Sequence, residues 1–310
     1  MIEIFKTIDE RLVTLNSFEE GAWINLVNPT EQEVHYVSES LNLDSDYIKV
    51  ALDEEESSRI ETDEACTLAV VDIPIAEANG VSSKYITIPL GIIINEKYII
   101  TVCLKENQVT REFIEKKTKG FFTFKKTRFF LQILYKNATK YLLYLKQIDK
   151  LSHIIENKLH RSTKNKELIQ LLELEKSLVY FSTSLKANEV VLERMLRTES
   201  IKSYPDDAEL LEDTIIENKQ AIEMARIYSD ILSGTMDAFA SVISNNLNIV
   251  MKFLASVTIV MAIPNMIASY FGMNVQVPMA NNPFAFPAIV MISAVLCAAA
   301  AMFMARKKMF

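Results

Sequence analysis

Charge is missing from the C-terminal part of this 310-residue chain: residues 253–305 contain no Asp, Glu, Lys or Arg, although 24% of the chain is charged. A water-facing surface is not built that way, so the absence excludes a wholly aqueous protein. Glycine is scarce too, with six in the chain and none over residues 121–233, where Pro205 is also the lone proline. That excludes a loop-rich middle and leaves long helices. The three cysteines, Cys66, Cys103 and Cys297, share no paired spacing, and His35, His153 and His160 are scattered. A disulfide framework and a Cys/His zinc site are both excluded by that pattern. There is no phosphate-cradling glycine loop and no nucleophile–base motif, so the chain reads as neither an enzyme nor the holder of an organic cofactor. With a formal charge of -7, no nucleic-acid partner is expected. The first residues lack the apolar core of a signal peptide, so membrane insertion is expected to come from the C-terminal segment itself.

That uncharged block is too long for one membrane crossing and suits two. Residues 249–271 and 285–305 each reach the roughly 20 residues that a spanning helix needs. Between them Gly272, Pro278, Asn281, Asn282 and Pro283 favour a turn. Lys252 precedes the first span and Arg306-Lys307-Lys308 follow the second, so the positive-inside rule predicts a multi-pass plasma- or inner-membrane protein with both termini cytoplasmic.

The first span is uneven. At 100° per residue Asn248, Met251, Ala255, Thr258, Ala262, Asn265 and Ser269 fall on one face, which collects nearly all of its small and polar residues. Such a face is suited either to a close helix–helix contact or to a wetted pore wall.

It ends in Pro264-Asn265-Met266-Ile267-Ala268-Ser269-Tyr270-Phe271-Gly272-Met273-Asn274. In this position, between two C-terminal spans and before a basic tail, the run resembles the signature of CorA-type magnesium transporters. The resemblance extends upstream to Trp23-Ile24-Asn25-Leu26-Val27-Asn28-Pro29-Thr30, to Ser58-Arg59-Ile60-Glu61 and to Pro89-Leu90-Gly91-Ile92-Ile93. There are two departures. Phe271 stands where a Tyr is common, and the loop lacks the usual Met-Pro-Glu-Leu, leaving no carboxylate outside.

Four segments are expected: an α/β domain over residues 1–120, long helices over 121–204, a stalk helix over 205–248 continuous with the first span, and the membrane hairpin over 249–310. In the first, a strand over residues 23–27 precedes a helix capped by Thr30 and Glu33. Short β-branched runs at 68–73, 85–90, 92–94 and 98–102 follow, the last two joined as a hairpin by Asn95-Glu96-Lys97. Two antiparallel helices are expected to turn near residues 162–165. Pro205-Asp206-Asp207 starts a helix running to Phe271, on the order of 100 Å long. Its stalk carries nine acids against Lys219 and Arg226. Glu223, Asp230, Asp237, Ser244, Met251, Thr258, Asn265 and Gly272 share one heptad position. Local pairs Lys219–Glu223 and Arg226–Asp230 would make the upper part an ordinary solvated face, whereas Asp237, without such a base, reads as a ring at the cytoplasmic side of a pore.

The resemblance implies a funnel-shaped homopentamer whose first span lines the pore. Gly272, Met273 and Asn274 would form the selectivity loop, Met251 and Leu254 an apolar gate, and Asn248 a polar ring. It further implies that the divalent cation is both cargo and regulator, with intracellular Mg²⁺ closing the pore. Asp213 matches a carboxylate of that regulatory site. The partner position aligns near Val50, and Asp53 in the block Asp53-Glu54-Glu55-Glu56 is a substitute candidate. Mg²⁺, with Co²⁺ or Ni²⁺ as alternatives, is the expected ion. Zinc transport within the family and a tethered sensor without transport are the rival readings.

Overall fold

The computed structural model describes residues 1–63, 66–79, 82–115, 118, 120–161, 165–197, 204–274 and 284–307. The chain divides into two compact units, Met1–Gly234 and Thr235–Phe310.

The first unit is built on a seven-stranded sheet in the order β2-β1-β3-β7-β6-β5-β4. Its strands are β1 (Ile2–Ile8), β2 (Arg11–Leu15), β3 (Trp23–Val27), β4 (Arg59–Thr62), β5 (Cys66–Asn79), β6 (Ser82–Asn95) and β7 (Ile99–Cys103). Only β3 and β7 run parallel; the remaining neighbours are antiparallel. The central strands are nearly continuous apolar runs because both faces are covered. Trp23, Ile92, Ile99 and Cys103 point into one core, while Ile24, Ile93, Ile100 and Val102 point into the other. That period of two sends alternate residues of one strand to opposite layers.

The second of these cores is closed by α1 (Glu31–Leu41), α2 (Ser45–Lys49) and a short 3₁₀ turn (Val50–Leu52), through Val34, Val37, Leu41, Ile48 and Ala51. The cap expected at Thr30 is present: Glu33 N donates to Thr30 Oγ1 (3.2 Å) and Thr30 N to Glu33 Oε2 (2.8 Å). The hairpin at Asn95 is present too, Asn95 Oδ1 accepting from Lys97 N (2.9 Å) and Tyr98 N (2.6 Å).

One expectation is corrected here. The runs 85–90 and 92–94 form one strand, for Gly91 does not interrupt β6. The glycine serves packing instead: a Cβ on Gly91 would sit 2.6 Å from Ala51 Cβ. G91A is therefore expected to destabilise the sheet unit by about 1–3 kcal/mol through overpacking. A thermal midpoint equal to that of the wild type would show that the 3₁₀ turn yields freely.

The first core is covered by α3 (Gln108–Ile114), α4 (Lys126–Arg161) and α5 (Asn165–Met195), with Phe113, Phe129, Phe130, Leu134, Val191 and Leu192 against the sheet. The turn expected between α4 and α5 lies outside the described residues. Glu112 ties α3 to α4 through Lys136 Nζ (3.2 Å) and Lys140 Nζ (2.5 Å). Burial pushes its carboxyl up, and the two ammonium groups outweigh that and hold it below the ordinary range.

α5 also completes the sheet edge. The pairing of β4 with β5 stops at Arg59 opposite Val70, and the carboxamide of Asn188 takes the place of a strand neighbour two residues on. Its Oδ1 accepts from Asp72 N (2.9 Å) and its Nδ2 donates to Asp72 O (2.8 Å), an oxygen that also accepts from Asn137 Nδ2 (2.8 Å) and Tyr141 OH (3.2 Å). Buried backbone groups need partners, and side chains supply them where the ladder ends.

α6 (Pro205–Phe271) is a single helix of 67 residues, as the spacing of proline and the helical pattern predict. Its start is pinned by buried Asp207, which accepts from Arg128 Nη1 at 2.9 Å. Leu211, Thr214, Ile215, Asn218, Ala221 and Ala225 form its buried face in the first unit, and Asn218 Nδ2 donates to Leu185 O of α5 (3.0 Å). α7 (Ala285–Arg306) is the last helix among the described residues.

Candidate functional site

In the second unit the two helices meet along narrow stripes. Over residues 249–271 of α6 the covered residues are Ser256, fully buried, and the partly buried Val260, Ile263 and Ile267. On α7 they include Ile289, Ser293, Cys297, Ala300 and Met304. Spacings of three and four residues put each set on one helix face, and small side chains there allow close approach.

The polar face of α6 lies elsewhere. Asn248, Met251, Leu254, Ala255, Thr258, Ala262, Asn265 and Ser269 are all exposed in the single chain. At 100° per residue their mean direction is about 150° from that of the α7-packed stripe. So the face does not serve the contact within the hairpin. Thr258 satisfies its own hydroxyl by donating to Leu254 O (2.8 Å). Asn265 sits one residue after Pro264 in the same uncharged segment.

The two spans leave their apolar side chains outward. Only 6% of the most apolar stretch of each is buried, which distinguishes them from core helices of an aqueous domain. Ile249, Phe253, Met261 and Met266 on α6 and Phe286, Val290, Val295 and Phe303 on α7 are examples. A bilayer provides the surroundings such surfaces require.

At the end of α6, Gly272 N donates to Ala268 O (2.9 Å), and Met273 and Asn274 leave the helix exposed. Gly272 keeps an ordinary negative-φ backbone, so the need for glycine here is one of space: an added Cβ would stand 3.2 Å from Ala268 O. Pro278, Asn281 and Asn282 lie outside the described residues.

Below the span Asp237 is exposed, its carbonyl accepting from Ser241 Oγ (3.0 Å). Arg226 pairs with both Glu223 (2.7 Å) and Asp230 (3.6 Å). The hydrogen bond and charge of its guanidinium lower the Glu223 carboxyl. The expected Lys219–Glu223 pair is not made: Lys219 Nζ lies 3.8 Å from Glu189 Oε1 on α5, since the long side chain reaches the neighbouring helix.

Asp213 projects from the exposed side of α6, between Glu212 and buried Thr214. Asp53 ends the 3₁₀ turn and uses Oδ1 to accept from Glu55 N (3.0 Å), while Glu56 and Glu61 bind Arg59. Among the described residues no three His, Cys, Asp or Glu side chains converge as a metal cluster. Cys103 is buried, and that burial raises its thiol to about 11, out of reach of thiolate chemistry near neutrality. The contact residues Ser256, Val260 and Cys297 escaped the sequence reading, in which apolar periodicity alone does not separate a helix-facing from a lipid-facing side.

A long helix running from an α/β unit into the first of two bilayer-compatible spans, with its polar face turned away from the second, defines a two-span membrane transport protein. The sequence pattern of the CorA-like Mg²⁺ transporter protein family matches residues 18–307, and the chain belongs to that family, one of ion transporters rather than enzymes. It is 29% identical over 288 residues to the cobalt/magnesium transport protein CorA of Methanocaldococcus jannaschii, covering 90% of this chain and 89% of that protein. The complete structure of the CorA magnesium transporter from the same organism superposes with a TM-score of 0.84 at 26% identity, over 99% of this chain and 98% of that one. The cytoplasmic domain of ZntB from Vibrio parahaemolyticus shares the fold, with a TM-score of 0.60 at 13% identity over 79% of this chain and 96% of that one.

Proposed function

We propose that the chain is a channel-like importer of hydrated Mg²⁺, working as a homopentamer in which the polar face of α6 lines a central pore and both termini lie in the cytoplasm. The observation that carries this reading is the separation of two faces on one helix, α6, which is uncharged from residue 253 to its end. One is packed on α7; the other bears Asn248, Thr258, Asn265 and Ser269, is left open, and leads to Gly272-Met273-Asn274. In a ring of identical chains each of these positions becomes a ring of neutral oxygens. Mg²⁺ gives up water reluctantly, so such rings suit an ion that keeps its hydration shell.

No nucleotide is needed. Two charges crossing 100 mV gain about 4.6 kcal/mol, enough to draw the ion inward. Met251 and Leu254 form the apolar constriction, closed by dewetting, and Asp237 collects cations below it. Asp213, with Asp53 of a neighbouring copy, senses cytoplasmic Mg²⁺.

The test is ion influx into proteoliposomes loaded with a fluorescent indicator under an inside-negative potential, with Mg²⁺, Co²⁺, Ni²⁺ and Zn²⁺ compared at equal protein. Rapid Mg²⁺ influx is expected. Influx of none of the four ions by correctly folded protein would leave a tethered sensor as the function.

The sensor is tested separately. D213N should raise several-fold the Mg²⁺ concentration that protects the cytoplasmic unit from limited proteolysis, because a bridging carboxylate and its charge are lost. Unchanged protection would remove Asp213 from the regulatory site.

A further inference from the structure

Pro264 lies inside α6, well before its last residue, Phe271. In an α-helix each carbonyl accepts from the N–H four residues on, so the carbonyl deprived by Pro264 is that of Val260. In a bilayer no water reaches a freed carbonyl, and leaving it unpaired is costly. Val260 belongs to the stripe of α6 that faces α7, and there Cys297 Sγ stands 3.6 Å from Val260 O, in donor geometry. Cys297 is partly buried, forms no disulfide, and is the sole cysteine of the uncharged span.

We propose that Cys297 is a positioning residue for the pore helix. Its thiol donates to the carbonyl that Pro264 leaves without a backbone partner, and this bond fixes the outer end of α6 against α7. The segment so held carries Asn265, Ser269 and Gly272-Met273-Asn274. A thiol is a weak donor, so the bond holds the proline break in register while letting it flex. The hydrogen bond itself is independent of the transport reading; its effect on ion flow rests on that reading.

Two measurements on the full chain in lipid decide it. In the infrared, the wild-type minus C297A difference spectrum isolates one S–H stretch. A band displaced to the lower frequency of a hydrogen-bonded thiol is expected, and a band at the free-thiol position would overturn the proposal. Transport supplies the second. C297A should slow Mg²⁺ influx about threefold, the size of an average interhelical hydrogen bond between membrane helices. In the P264A background the same substitution should change nothing, because the N–H restored at position 264 serves Val260 O. An equal loss in both backgrounds would overturn the assignment. If the wild type moves no ion, the importer reading fails, and the infrared band still decides the hydrogen bond.

Discussion

Mg²⁺ influx through N274A is expected to fall to the level of protein-free liposomes. In the proposed pentamer Asn274 contributes one side-chain carbonyl oxygen per chain to a ring at the outer mouth, and each oxygen accepts from water in the shell of the incoming ion. A hydrogen bond to a charged partner is worth about 1.5–3 kcal/mol. Losing one such contact would slow capture by roughly tenfold or more, since about 1.4 kcal/mol is a factor of ten. Alanine removes the acceptor from every chain at once. Folding is not at stake, because Asn274 lies beyond the end of α6 and is exposed. The assay is the indicator-loaded proteoliposome at matched protein amounts, with the oligomer checked by size. Influx within a factor of two of the wild type would remove Asn274 from the selectivity loop.

L254S is expected to have the second largest effect, in the opposite direction. Leu254 is 60% exposed on the open side of α6, and with Met251 it would close the pore by excluding water. A dewetted constriction conducts only when water and ion enter together. Replacing isobutyl groups with hydroxyls around the ring favours the wet state. Lowering the closed-state barrier by about 1.4 kcal/mol already multiplies flux tenfold. Uptake that persists at internal Mg²⁺ sufficient to silence the wild type, at least about tenfold above its residual rate, is the predicted result. Normal closure by L254S would place the gate elsewhere.

Much of this architecture is written in local chemistry. The membrane helices are legible because residues 253–305 lack charge, and α6 because proline and glycine are withheld from its interior up to Gly234 and Pro264. The Thr30–Glu33 cap and the Asn95 turn are legible because particular side chains must meet particular N–H groups. What stays hidden has no local marker. β1 and β2 are joined by a two-residue turn in which Asp9 (φ 46) and Glu10 (φ 62) both take left-handed conformations, with no Gly or Asn to announce it. Gly91 looks like a strand end and is a packing site, because the partner that needs the space, Ala51, is forty residues away in sequence. At the site, periodicity gathers the polar face of α6 but leaves open what it touches. Only the position of α7, on Ser256 and Val260, shows that the face is not used within the hairpin.

Trp23 is the one tryptophan of the chain. It is fully buried, packs edge-on against Phe129 and Phe113, and donates from Nε1 to Thr101 Oγ1 at 2.8 Å. No indole lies in either span, so tryptophan emission from the intact protein originates wholly in the sheet core of the first unit, whatever lipid surrounds the second. The molecule therefore carries its own optical reporter. Unfolding of the α/β unit can be followed without a label while the membrane hairpin stays dark, and a change in that emission on adding Mg²⁺ would reveal how far ion binding reaches into the core.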